Sequence, residues 1–242
     1  MIVMSELLKQ IEDPQLASSV REMMSRGANV PCKIAYNIWK DALYRVPQSG
    51  TQKVLHVILR GSALSGKDNQ GQRIFDGLDE SVLKGRGLSV VIHNGILREQ
   101  EQAVLMLDLL KYSSSNDIIS IEIDVPPHVC FARAKKRAEE QCRIDDMDEE
   151  AVWKRIHRYH EVAHLIDREV KSRNVPRFLV KNNGNLSADE TYNELLRQIS
   201  ILNRLTLPEF QYRLKSYGNV PKPADTHVDW MRVRVSSASC TA

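Results

Sequence analysis

The stretch V-L-H-V-I-L-R-G-S-A-L-S-G-K, Val54 to Lys67, decides how the rest of the chain is read. Its opening run is apolar except for one histidine and is too short for a buried helix, which is the pattern of a strand covered on both faces. Glycines and serines then interrupt it. The alternation continues outward: L-S-V-V-I-H from Leu88, I-I-S-I-E-I-D-V from Ile118 and R-F-L-V from Arg177 read as further strands. Helices are expected over 70–83, 99–112, 127–140, 149–173 and 187–205. Apolar strands separated by helices predict an α/β core, a parallel sheet flanked by helices, over residues 51–205.

Upstream of this core the texture is helical, over 5–11, 14–26 and 31–45, with Leu16, Val20, Met23 and Met24 at helical spacing. Gly27 stands where a helix ends and Pro31 where the next begins. Residues 1–50 are therefore expected to form a small helical lobe. Beyond residue 205 the pattern fades into a proline- and serine-containing tail, 206–242. There Trp230, flanked by Arg232 and Arg234, is a candidate anchor for a protein partner.

Composition narrows the function classes. With 242 residues, 42% of them hydrophobic, the chain can bury a core. Thirty-four basic against 31 acidic residues leave a net charge of +3, too balanced for a nucleic-acid-coating surface, so any anion site must be local. The apolar runs are far short of the roughly 18 residues of a membrane span. Cys32, Cys130, Cys142 and Cys240 are widely spaced, without metal-ligand or disulfide-framework patterning. Reduced thiols and a start lacking a basic, apolar leader make the cytoplasm the expected setting.

The segment G-S-A-L-S-G-K, Gly61 to Lys67, has the form G-x-x-x-x-G-K between a strand and a helix. In such a P-loop, backbone N–H groups surround phosphate oxygens and the lysine reaches the outer phosphates. Two residues depart from the motif. Leu64 replaces a common loop glycine, and Asp68 stands where a Ser or Thr normally holds magnesium, so that its carboxylate repels phosphates. An ordinary Gly/Ser turn is the competing reading. Arg133 and Arg137 share a helix face, and Arg155 and Tyr159 repeat that spacing after R-I-D-D, residues 143–146. Singly, each arginine reads as a solvated surface residue; converging on one anion, they are the machinery of phosphoryl transfer.

Four segments together resemble the nucleoside monophosphate kinases, adenylate kinase-like members above all. V-V-I-H-N-G-I-L-R-E-Q-E-Q-A, Val90 to Ala103, is similar to the family's strand ending D-G-F-P-R with a following glutamine. I-E-I-D-V-P with its R-x-x-x-R, Ile121 to Arg137, is similar to the strand and helix beside ATP. R-I-D-D and the helix after it look like the short lid, near 138–148, and the N-terminal helices look like the monophosphate-binding lobe. The resemblance implies a P-loop kinase-like fold and transfer of the γ-phosphoryl group of ATP to AMP, with Mg2+ accompanying ATP.

It assigns ATP binding to Gly61, Gly66, Lys67, Arg133 and Arg137. It assigns AMP binding to Lys9, Arg98, Gln102, Arg143 and Arg155, and catalysis to Lys67, Arg137, Arg143 and Arg155. Gln102 suits adenine because a primary amide both accepts from the exocyclic amine and donates to the adjacent ring nitrogen. Asn94 replaces an aspartate that helps order the metal's waters. The family's P-loop precedes the helical lobe, whereas the candidate here follows it. Either the loop is permuted and usable, or the family's first strand is missing upstream of Met1 and residues 47–87 are an insertion. The alternatives to a kinase of AMP are a kinase-like module without catalysis, acting as a nucleotide-binding scaffold, and a P-loop kinase of another small molecule.

Overall fold

Leu55, Val57 and Leu59 project to one side of the first long strand and Val54, His56 and Ile58 to the other, all of them buried, so this strand needs cover on both faces. In the computed structural model, which describes residues 1–46, 53–78, 88–112, 116–141 and 146–201, it receives that cover. The sheet comprises β1 (Ile2–Val3), β2 (Lys53–Arg60), β3 (Leu88–Asn94), β4 (Asn116–Asp124) and β5 (Arg177–Lys181), all parallel, in the order β1-β3-β2-β4-β5. The helices are α1 (Met4–Lys9), α2 (Pro14–Ser25), α3 (Cys32–Tyr44), α4 (Lys67–Asp76), α5 (Gln100–Lys111), α6 (Pro127–Gln141), α7 (Glu149–Ser172) and α8 (Ala188–Ile201). This is an α/β fold consistent with a P-loop kinase-like arrangement. None of the described helices is long and apolar enough to cross a membrane.

The strand order bears on the two readings of Gly61 to Lys67. Both edges of β2 are paired, to β3 and to β4, so β2 fills the centre of the sheet. After β2 the chain passes to β3 on one side, then crosses back to β4 on the other. The order therefore reverses at β2, and open α/β sheets form their ligand crevice at the carboxyl ends of strands at such a switch point. The loop beginning at Gly61 emerges there.

Two elements differ from expectation. The helix expected over 70–83 begins at Lys67, where Gly66 takes φ +90°, and ends at Asp76 with Gly77 as its cap; residues 79–83 lie outside the described residues. Strand β1 has only two residues, too few for any period to show, and it is placed by pairing with His93 and Asn94. The expected Arg143, part of the lid at 138–148 and the tail with Trp230 also lie outside the described residues.

The helical lobe is docked rather than loose. Gly27, at φ +69°, follows α2 so closely against α7 that a Cβ would sit 2.6 Å from the Ala151 carbonyl oxygen. Its own carbonyl accepts from Arg158 Nη1 (3.3 Å), and Asn29 Nδ2 donates to Glu99 Oε1 (2.9 Å). Deeper in, Trp39 Nε1 of α3 donates to His93 Nδ1 (3.1 Å), which fixes the remaining proton of neutral His93 on Nε2, 2.9 Å from His56 Nδ1.

Burial, the neighbouring His56 and the chain's amino group hold His93 well below the ordinary 6.5. The folded state therefore keeps it neutral while the unfolded chain takes up a proton below pH 6.5. Stability is complete above that value and falls as the pH drops through it. Urea denaturation is expected to show a loss of about 1 kcal/mol from this group between about pH 7 and pH 5.5. His93→Asn, whose side-chain oxygen can still accept from Trp39, should lack that component; an unchanged pH slope would assign it to other groups.

A second buried polar group ties α7 to the sheet. Arg60, at the end of β2, has a fully buried side chain, and its Nη2 donates to both Glu122 Oε2 of β4 and Asp167 Oδ1 of α7, each at 2.5 Å. Tyr159 O–H donates to the other oxygen of Glu122 (2.9 Å), and Arg177 Nη1 of β5 lies 2.9 Å from Asp167 Oδ2. One turn from Tyr159, on the same helix, stands Arg155.

Candidate functional site

Gly61 leaves β2 at φ +146°, and a Cβ there would meet Ser65 Oγ at 2.6 Å and the Ile123 carbonyl oxygen at 2.7 Å. Only glycine lets the loop pass this close to β4. Leu64 adopts φ +64°, the left-handed conformation natural to the glycine it replaces, at a cost of roughly 1–2 kcal/mol. The second loop of the crevice, after β3, holds another strained residue, Leu97 at φ +55°. Strained non-glycine backbone concentrates at ligand sites, where surrounding contacts over-determine it. Here Arg133 Nη1 supplies such contacts by donating to the carbonyls of Leu64 (3.2 Å) and Ser65 (3.3 Å).

Lys67 opens α4 with its side chain buried, and its ammonium reaches back across the loop to the Ser62 carbonyl at 3.0 Å. Burial pushes its pKa below the usual lysine value, Arg98 and Arg137 add to that, and Asp68 opposes them. An anion entering the loop would relieve this crowding of positive charge. Asp68 and Arg98 are both exposed to solvent. Burial alone would raise the Asp68 carboxyl, but Lys67, a hydrogen bond from Asn94, Arg98 and Arg137 outweigh it and hold it below its ordinary range. Asp68 is thus an anion among four cationic or donor groups.

Arg98 comes from the β3–α5 loop. Its Nε donates to the Gly95 carbonyl (3.1 Å), and its backbone N–H donates to Gln102 Oε1 (3.0 Å). It lies within electrostatic range of Asp68 and of Arg155 on α7. Arg137 of α6 and Arg155 of α7 meet on one buried carboxylate, Asp146, at 2.6 Å and 3.0 Å. The cleft therefore gathers Lys67, Arg98, Arg137 and Arg155 from four different elements, with Arg133 bracing the loop.

The other expected residues fall differently. Lys9 is exposed and pairs with Glu6 at 2.9 Å on its own helix, and among the described residues no hydrogen bond or ion pair joins it to this group. Gln102 is buried, and one lone pair of its amide oxygen is taken up by Arg98 N–H. Gly61 and Gly66 are both in the loop. Sequence reasoning assigned no role to Asp146, although its position in R-I-D-D beside two arginine-bearing helices was the available signal. It also missed that Asp68 and Asn94 touch, at 2.8 Å, since they are 26 residues apart. Two buried polar atoms of the crevice, Ser65 Oγ and Asn94 Oδ1, have no hydrogen-bond partner among the described residues. Such orphans mark a place where a ligand or its water is expected.

Chemically, the arrangement can hold a multiply charged anion against backbone N–H groups and a helix N-terminus and spread positive charge around it. The chain matches no model of a known protein family, and no curated protein matches its sequence.

Proposed function

We propose that this protein transfers the γ-phosphoryl group of ATP to AMP, giving two ADP. The observation that carries the reading is the meeting of Lys67, Arg98, Arg137 and Arg155 beside a strained glycine-containing loop at the switch point of the sheet. An oxygen of the AMP phosphate attacks the γ-phosphorus as the bond to the bridging oxygen of ADP breaks, and the task left to the protein is alignment and charge stabilisation. Lys67 neutralises the transferring group. Arg98 and Arg155 hold the acceptor phosphate, Arg137 and Arg143 close from the lid side, and Arg133 keeps the loop in shape beside the donor. Gln102 reads adenine with its remaining acceptor lone pair and its amide N–H. Magnesium, bound with ATP, supplies further neutralisation of the phosphates; the exposed carboxylate of Asp68 and the orphaned Asn94 Oδ1 suit a hydrated divalent ion. The proposed setting is the cytoplasm, supported by the buried free thiols of Cys32 and Cys130.

The test is a coupled assay of ADP formation from ATP, Mg2+ and each of AMP, GMP, UMP and CMP. Turnover with AMP exceeding that with the pyrimidine nucleotides is expected. A second reading has its own observation: Asp146 already neutralises Arg137 and Arg155, which suits a module that binds nucleotide without turnover. Binding of AMP by calorimetry with no ADP formed would select that reading, and turnover with a different acceptor would redirect the substrate.

A further inference from the structure

We infer that Asp68 is the protein's carboxylate ligand for the divalent cation carried by the donor nucleotide, and that Asn94 orients this carboxylate and accepts a hydrogen bond from the cation's water shell. The inference rests on the phosphoryl-transfer reading above. Asp68 directly follows Lys67 in the first turn of α4 and is exposed to the cleft. Asn94 Nδ2 donates to its Oδ1 at 2.8 Å, and this bond fixes which way the amide points. Turned over, Asn94 would set its own oxygen against a carboxylate.

As it stands, Asn94 is 2% exposed and its Oδ1 has no donor among the described residues. Leaving a buried acceptor unmatched is costly, and a cation-bound water is a donor that would meet it. Among the described residues no three His, Cys, Asp or Glu side chains gather into a metal cage, so a cation here would be held jointly with phosphate oxygens. Magnesium binds in that manner, through one or two carboxylates, substrate phosphates and several retained waters.

The pair also explains how the loop tolerates Asp68. In P-loop enzymes the hydroxyl after the lysine and an aspartate from elsewhere on the sheet hold the metal. Here the carboxylate follows the lysine and the neutral oxygen stands at the end of β3, so the two roles are exchanged without a change in total charge. The exchange makes the sign of Asp68's effect depend on metal. With a cation between them, Asp68 and the phosphates attract; without one they repel.

The experiment uses the full chain and measures ATP binding in EDTA by calorimetry, and Mn2+ binding in the presence of ATP from the free-Mn2+ paramagnetic resonance signal. Asp68→Asn is expected to weaken Mn2+ binding by about tenfold or more yet to tighten ATP in EDTA. Asp68→Ser alone should lose Mn2+ affinity, and Asp68→Ser with Asn94→Asp should regain most of it. Circular dichroism and melting temperature establish that each variant is folded. Mn2+ bound to the Asp68→Asn complex as tightly as to wild type, or a double variant no better than Asp68→Ser, would overturn the inference. Wild type that binds no ATP in either condition would instead remove the phosphoryl-transfer reading on which it stands.

Discussion

Lys67→Ala is expected to lower the rate of ADP formation by about a hundredfold or more, close to 3 kcal/mol of barrier. The reason lies in how the ammonium is held. It is buried, 3.0 Å from the Ser62 carbonyl, and burial with Arg98 and Arg137 nearby depresses its pKa, so its charge is poorly satisfied until an anion arrives. Charge that strengthens its interactions as the phosphoryl group moves is what lowers a barrier. Lys67→Arg should not rescue turnover, because a planar guanidinium does not fit a buried slot shaped for an extended amine. Arg98→Ala is expected to show a comparable loss in kcat/KM with a different signature. Arg98 stands on the opposite loop, open to solvent, so its removal should raise KM for AMP while leaving KM for ATP near wild type. Steady-state kinetics with each substrate varied separately distinguishes the two. Turnover unchanged in both variants would take these residues out of the mechanism.

The sheet was legible in the sequence because its strands carry buried residues on both faces: Leu55 with Val57 and Val54 with Ile58 give β2 a continuous apolar run that neither a loop nor an exposed helix would have. The glycine loop was legible for the same reason a turn is, through residues able to adopt unusual φ. Less legible was the true start of α4. An N-cap glycine followed by charged residues gives no apolar period, so the pattern alone placed the helix three residues late. The site was partly legible. Spacing could put Arg133 with Arg137 on one face, but it could not say that Arg133 would brace the loop while Arg137 turned to Asp146. Contacts such as Asp68 with Asn94, or Arg60 with Asp167, join residues far apart in sequence and obey no local period. The available hint was chemical: Arg60 and His56 are polar residues on a strand otherwise packed with aliphatic side chains, and a polar group buried there needs a partner.

That partner requirement makes Arg60→Leu the substitution expected to cost the most stability, about 3 kcal/mol. Its Nη2 serves Glu122 and Asp167 together, and the side chain has no exposure to water. Leucine fills part of the volume but leaves two carboxylates with Arg177 as their one cation among the described residues, its Nη1 2.9 Å from Asp167 and its Nε 3.6 Å from Glu122. Removing one side of a buried charge group is worse than removing both, so Arg60→Leu combined with Asp167→Asn should recover part of the loss. Arg60→Lys makes a sharper distinction. Because a single nitrogen makes both contacts while Nε and Nη1 have no partner among the described residues, the several N–H donors of one ammonium can reproduce the arrangement without the guanidinium fork. Lysine is therefore expected to keep most of the stability that leucine loses. Urea midpoints of the variants read this directly, and an Arg60→Leu loss no larger than the roughly 0.5 kcal/mol of a surface change would show that α7 is held to the sheet by its apolar contacts alone. Activity adds a second readout. Tyr159, which donates to Glu122, lies one turn beyond Arg155, so loosening this network should shift Arg155 and raise KM for AMP even in conditions where the variant remains folded.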